Sequence, residues 1–219
     1  MIIGLICAVE IEAHALLKDL QPTLISQSHR ILYSFTDKYN EYILCIGGIG
    51  KVNASASLQH LIDIYKVEEV YNFGICGALI STLNIGDIIV SLQFVQYDFK
   101  LHLESQHPAW HPSYQSHIIK TTTPKNEKII PNNEIITSAD NFVCQLSEKL
   151  EIHHLTQAIA CDMESAALAQ IAYLNNTPFI SIRAVSDSSD NQLKHDSDGV
   201  NVAQNQVYQW LKLNLINNI

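Results

Sequence analysis

Apolar runs of strand length that alternate with helix-period segments predict an α/β protein, one domain over residues 1–219. The expected architecture is a three-layer α/β/α sandwich with a mixed, mostly parallel central sheet. Three observations carry this. Ile2 to Ala8 is an apolar run followed at once by an acidic helix start. Pro178 delimits a second run, Phe179 to Val185, broken only by Ser181 and Arg183, which reads as a strand buried on both faces. No linker, repeat or low-complexity stretch divides the 219 residues, a length at which about 70% of the extended-chain surface can be buried in one core.

The elements follow in order. After the first strand, Val9 begins a helix with Glu10 and Glu12 in its opening and Leu16, Leu17 and Leu20 on its buried face. Segments 31–36 and 41–46 are strands joined by a polar turn at Asp37 to Asn40. Gly47, Gly48, Ile49, Gly50 and Lys51 lack the spacing of a phosphate loop, and Val52 stands where such a loop needs a hydroxyl, so the glycines are a tight entry into a helix from Val52 to Tyr65. Ala54, Leu58, Leu61 and Ile62 should face inward from it. Val70 to Phe73 is a short buried strand that ends in Gly74, Ile75, Cys76 and Gly77. Those two glycines fit either a close backbone approach to a ligand or a turn with positive φ. Ile88 to Tyr97 and Glu134 to Ser138 are further strands, and Val200, Ala203, Val207, Trp210 and Leu211 recur at helical spacing in a closing helix.

Composition excludes several classes. With 13 basic and 22 acidic residues the formal charge is −9, a field that repels phosphate backbones, and no local basic patch points to nucleic acid. No apolar run reaches the length of a membrane span, and Ile2 to Val9 lacks the basic leader of an export signal. Five cysteines without a Cys-x-x-Cys pair, four of them in or ending apolar runs, read as reduced, buried thiols of a cytoplasmic protein. His107 and His111 have the interval of a metal pair, but Pro108 and Pro112 oppose the helix that would align them. The His-rich stretch 98–118, with His102 and His117, is expected to be a solvated or ligand-covering loop, and neither a metal nor a cofactor is called for.

The chemistry concentrates between Ala158 and Asp190. Asp162 stands at a helix start, and Met163, Ala166, Ala167, Gln170, Ile171 and Leu174 mark a buried face over roughly 162–174, with Glu164 in the first turn. Asp187 follows the strand Phe179 to Val185, and ligands of open α/β sheets gather at strand carboxyl ends. Periodicity alone favours a plainer reading, a capping charge for Glu164 and a helix or turn cap for Asp187.

The run Ala160, Cys161, Asp162, Met163, Glu164, Ser165, Ala166, followed by Arg183, Ala184, Val185, Ser186, Asp187, resembles the paired signatures of the nucleoside phosphorylase and nucleosidase superfamily. Within it, the pattern is most similar to the 5'-methylthioadenosine/S-adenosylhomocysteine nucleosidases. The resemblance implies a nucleoside phosphorylase-like fold and hydrolysis of the N-glycosidic bond of a 5'-modified adenine nucleoside. It implies catalytic roles for Asp187, as acid for the leaving purine, and for Glu12, as base for the attacking water through the register Gly4, Ala8, Glu12. Met163 and Glu164 would hold the ribose, Phe142 would stack on the base, and Val143 would pair with its edge through the backbone. Ser186 belongs to the same motif, and Ile75, which replaces a hydroxyl residue, would offer backbone contacts only. Ala139 replaces a family glycine, and Lys100 stands where an acidic residue is common. A homodimer is implied as well, with the neighbouring subunit's loop near the 5' substituent.

Asp187 has to hold a proton near neutral pH while Glu12 stays ionised, and opposed environments allow both in one pocket. Phosphorolysis is disfavoured: the chain has only Arg30 and Arg183 to build an anion pocket, and Glu12 would repel phosphate. Futalosine or aminofutalosine hydrolysis uses the same bond and carboxylates. A catalytically silent nucleoside-binding protein is the alternative that the departures at Ile75, Ala139 and Lys100 motivate.

Overall fold

The computed structural model describes residues 1–101, 106–126, 128–190 and 197–216, so His102 lies outside the described residues. In chain order the elements are β1 (Ile2–Cys7), α1 (Glu10–Leu20), β2 (Thr23–Gln27), β3 (Ile31–Thr36), β4 (Glu41–Ile46), α2 (Lys51–Tyr65), β5 (Glu69–Ala78) and β6 (Ile88–Gln96). They continue with β7 (Ile119–Lys120), β8 (Asn132–Ser138), α3 (Leu146–Thr156), β9 (Ala160–Asp162), α4 (Ser165–Leu174), β10 (Phe179–Asp187) and α5 (Ser197–Asn214).

Among the described residues, ten strands share one mixed sheet in the order β10-β6-β8-β9-β5-β1-β4-β3-β2, with β7 on β6. Parallel pairings join β4, β1, β5 and β10 in the middle and link β6, β8 and β9, while β2, β3 and β4 form an antiparallel edge. β10 pairs with β5 on one side and with β6 on the other, and β9 pairs with β5, so β5, β10, β6, β8 and β9 close into a ring.

Side-chain alternation sorts the strands onto two apolar layers. Ile3, Leu5, Tyr42, Leu44, Tyr71, Phe73, Ile180 and Ile182 pack with α1 and α5, which supply Leu16, Val207 and Leu211. Ile6, Ile43, Cys45, Val70, Cys76, Phe179 and Val185 pack with α2 and α4, which supply Leu58, Leu61, Leu168 and Ala172. A third cluster joins Ile152 of α3 to Leu79, Val143, Ala158 and Cys161. Arg183 and Ser181 share the parity of Phe179 and Val185, so the two polar interruptions of the β10 run aim at the α4 layer.

Several boundaries differ from expectation. Asp162 ends a strand rather than opening a helix; α4 begins at Ser165, and Met163 lies in the bend before it. The buried face of α4 is Ala166, Ala167, Leu168, Ala169 and Ala172, while Leu174 is exposed and Gln170 and Ile171 are half-buried. β5 runs on through Gly74 and Gly77, because β10 and β9 pair with that segment and hold it extended. β2, β7 and α3 were not legible: β2 is an exposed edge, β7 has two residues, and the buried positions of α3 include Lys149 and Thr156. α5 starts at Ser197, three residues before the apolar periodicity.

The five cysteines are free, and four are buried. No described helix is long and apolar enough to cross a membrane. In the α4 layer, Phe179 and Phe94 meet edge to face at 5.5 Å between ring centroids. Phe179→Ala should therefore cost about 3–5 kcal/mol in urea denaturation; a loss under about 1 kcal/mol would show that the layer refills around the gap.

Candidate functional site

The carboxyl ends of β1, β4, β5, β8, β9 and β10 all open onto one cleft, where the strand-end rule places ligands. From β1 the chain turns at Ala8 and Val9 into α1. Val9 has no side-chain oxygen to cap the helix, so Glu12 reaches back instead, its Oε2 accepting from the N–H groups of Ala8 at 2.8 Å and Val9 at 3.2 Å. Its other oxygen accepts from the Ile75 N–H at 3.0 Å. Glu12 is buried and pinned by three backbone donors, with one flank on the cleft.

Behind it lies Arg183, 1% exposed. Its Nε pairs with Asp162 Oδ2 at 2.9 Å, Nη1 lies 3.6 Å from Glu12, and Nη2 lies 3.7 Å from Glu164 and donates to Asn72 Oδ1 at 2.9 Å. Burial pushes the guanidinium toward losing its proton, but Asp162, Glu12 and Glu164 more than offset this, and its pKa is raised. Asp162 also accepts from the N–H groups of Glu164 at 3.1 Å and Ser165 at 3.0 Å, so it caps α4. Periodicity alone assigns that role to Glu164. Glu164 sits at the N-cap position, but its side chain turns away from α4 and accepts from the Gly50 N–H at the start of α2, at 2.9 Å.

Burial, then the neighbouring charges of Asp162 and Glu12, push the Glu164 carboxyl up to about 7 against the pull of Arg183 and the Gly50 N–H. At the far end of the cleft, Asp187 ends β10. Its Oδ1 accepts from the Ser189 N–H at 2.9 Å and its Oδ2 lies 2.7 Å from the Ser186 hydroxyl. It therefore does hold a turn, and it lines the cleft while doing so.

Two glycines of β5 make this arrangement possible. A Cβ on Gly74, whose φ is +157°, would lie 2.1 Å from Glu12 Oε1 and 2.5 Å from Arg183 Nη1. One on Gly77 would lie 2.0 Å from Ser189 Oγ and 3.1 Å from Asp187 Oδ1. The close approach is to the protein's own functional side chains. Two residues, Ile75 and Cys76, separate the two glycines, so the two close approaches lie roughly 10 Å apart along β5.

All eight residues singled out from the sequence line this cleft of about 180 Å³: Glu12, Ile75, Phe142, Val143, Met163, Glu164, Ser186 and Asp187. Both backbone polar groups of Ile75 are engaged within the protein, the N–H by Glu12 and the carbonyl by Arg183 Nη1 at 3.3 Å. Phe142, 59% exposed, and Ile49 stand at the mouth, and Val143 is buried below. Cys76 and Cys161 also line the cleft. Burial pushes the Cys161 thiol up to about 12 and the Cys76 thiol well above its ordinary value, so both are packing groups rather than nucleophiles.

Sequence reasoning missed Arg183, Asp162, Asn72 and Ser189 as working parts. The polar breaks in the β10 run were the one signal that pointed to the first. In the stretch 98–118, expected to be a solvated or ligand-covering loop, described side chains pack on the body of the protein: His107 bonds the Leu155 carbonyl at 2.8 Å and stacks on His117, and His111 stacks on Tyr114 and lies 3.5 Å from Gln170 of α4. No described residue of that stretch lines the cleft. No group of three metal-ligating side chains occurs among the described residues. Lys100 lies in a separate depression against Glu151 and His154 of α3.

Fold and cleft together define an α/β protein with a small-molecule site at its strand ends, carboxylates at both extremes and an aromatic ring at the mouth. A family model described as the phosphorylase superfamily matches residues 2–208. The chain is 34% identical to a 5'-methylthioadenosine/S-adenosylhomocysteine nucleosidase of Staphylococcus saprophyticus, over 86% of this chain and 87% of that one. It belongs to the phosphorylase superfamily and, within it, to the family of these nucleosidases. An S-adenosylhomocysteine nucleosidase from Streptococcus pyogenes, solved with 5-methylthiotubericidin, matches with a TM-score of 0.85 at 27% identity, over 96% of this chain and 94% of that one. The futalosine hydrolase of Helicobacter pylori matches with a TM-score of 0.87 at 22% identity over 96% and 95%, a likeness of fold.

Gly74→Ala should lower stability by about 1–3 kcal/mol and displace the Glu12 carboxylate; an unchanged melting temperature would show that the site yields without cost. Glu164 gives a pH test. Its carboxyl keeps its proton up to about 7 in the folded chain, against 4.5 for an unperturbed glutamate, so the folded chain binds more protons between those values. Stability therefore falls as pH rises through that window and levels off above it. Urea denaturation at a pH of about 5 and about 8 should show a smaller loss for Glu164→Gln than for the wild type; equal losses would remove Glu164 as the source.

Proposed function

We propose that this chain hydrolyses the N-glycosidic bond of 5'-modified adenine nucleosides, methylthioadenosine and S-adenosylhomocysteine, and releases adenine and a 5-thioribose. The observation that supports this best is the convergence of Glu12, Glu164 and Asp187 on one cleft from three separate elements.

Breaking the bond from sugar to purine builds positive charge on the sugar and negative charge on the base. Asp187 gives its proton to a ring nitrogen of the leaving purine, so the base departs neutral. On the opposite face a water oxygen bonds to the anomeric carbon as one of its protons passes to the Glu12 carboxylate. The donors from Ala8, Val9 and Ile75 hold Glu12 aimed before substrate arrives, which removes reorientation from the barrier.

Glu164 bonds the ribose hydroxyls, Met163 packs on the ribose, Phe142 stacks on adenine, and Val143 meets the base edge through its backbone. Ser186 steadies Asp187, and Ile75 forms the apolar wall. No step calls for a metal or a cofactor. Residues 1–219 act as one nucleosidase domain, with a small-molecule nucleoside as partner and neither nucleic acid nor membrane. We place the protein in the cytoplasm, in keeping with its free, buried thiols. It works as a homodimer in which stretch 98–118 of a second copy covers the 5' substituent. Supporting this, the described residues of that stretch leave their own cleft uncovered.

Asp187→Asn should lose adenine release from methylthioadenosine by about a hundred- to ten-thousand-fold with its melting temperature kept, and Glu12→Gln should behave alike. Chromatography of products from methylthioadenosine, S-adenosylhomocysteine and futalosine tests the substrate. Hypoxanthine from futalosine alone would replace this reading with a futalosine hydrolase. Tight calorimetric binding without base release would replace it with a nucleoside-binding protein.

A further inference from the structure

α3 carries a lysine where a helix is least suited to one. Lys149 is the fourth residue of the helix, close to the positive end of its dipole, and it is buried. A buried ammonium needs partners, and these come from the turn that follows β10: Nζ donates to the Ser188 carbonyl and lies 3.5 Å from Asp190 Oδ2. Within that turn the Ser188 hydroxyl donates to Asp190, and the Ser189 N–H donates to Asp187 Oδ1 at 2.9 Å. Ser189 is buried with φ at +53°, a left-handed conformation that something outside the residue has to hold. Lys149 grips the chain on both sides of it.

We propose that Lys149 is a positioning residue for Asp187, which fixes the 188–190 turn so that the Ser189 N–H holds the acid against the leaving base. This rests on the role given to Asp187 above. The helix serves the base end of the cleft twice over, because Glu148 accepts from the side-chain amide of Asn141, next to Phe142. One rigid element thereby sets the aromatic ring and the acid relative to each other.

The test separates aim from architecture by changing the leaving group. A 4-nitrophenyl riboside with a 5'-methylthio group loses nitrophenolate, which departs without a proton, so it uses the sugar subsite and Glu12 but needs no acid. Lys149→Met keeps the buried stem and removes the grip. In the full chain, Lys149→Met should lose kcat on methylthioadenosine by about 10- to 100-fold, leave nitrophenol release within about twofold of wild type, and recover adenine release when Arg replaces Met.

Equal losses on both substrates, or no loss on methylthioadenosine, would overturn the assignment. If Lys149→Met does not fold, Asp190→Asn loosens the same contact from its exposed side, with the same selective loss expected and the same two outcomes fatal. A wild-type chain that cleaves neither substrate removes the nucleosidase reading and this one together. Adenine release by the wild type with unselective loss in the variants overturns this one alone.

Discussion

A single buried guanidinium holds the cleft together. Taking Arg183 out of water costs several kcal/mol, and only close carboxylates with good geometry repay it. Asp162 provides the short contact at 2.9 Å, while Glu12 and Glu164, at 3.6 and 3.7 Å, are near enough to share the charge and far enough to keep an edge on the cleft. The cation thus ties β10 to the β9–α4 bend and to α1, three segments remote in sequence. Loss of one member of such a buried set generally costs about 3–5 kcal/mol, because the others remain uncompensated.

Around that ion the structure divides labour by distance from it. Near Arg183 the carboxylates crowd, and Glu164 is pushed to about 7. Farther along β5, Asp187 is held by local partners, Ser186 and Ser189. Gly74 and Gly77 mark the two ends, each the place where a methyl group would strike a working side chain. The same strand therefore sets both the separation of the two environments and their close fit to the sheet.

Much of this was legible in the sequence, and the rest has physical reasons for being hidden. Strands such as Ile2–Cys7 and Phe179–Asp187 announce themselves because burial on both faces demands unbroken apolar runs. The eight cleft residues were readable from local motifs, and they meet because those motifs fall at strand carboxyl ends. α3 was not readable, since its buried side chains include a lysine and a threonine whose partners lie elsewhere in the chain. Asp162 was misplaced by one element because a carboxylate before an alanine-rich helix looks alike whether it ends a strand or starts a helix. The ring of strands has no local signal at all: β10 meets both β5 and β6 only through tertiary pairing.

That ring constrains what can change. A strand in an open sheet can slide by a register step at the expense of one neighbour, whereas β5, β10, β6, β8 and β9 are each paired on both sides. Slippage of any one would have to be absorbed around the whole circumference, so the offset between β9, which leads into Glu164, and β10, which ends in Asp187, is fixed by closure. Segments that merely connect the strands carry no such obligation. Loops could lengthen, shorten or exchange side chains to suit a different tail on the ligand while the spacing of the reactive groups stays untouched.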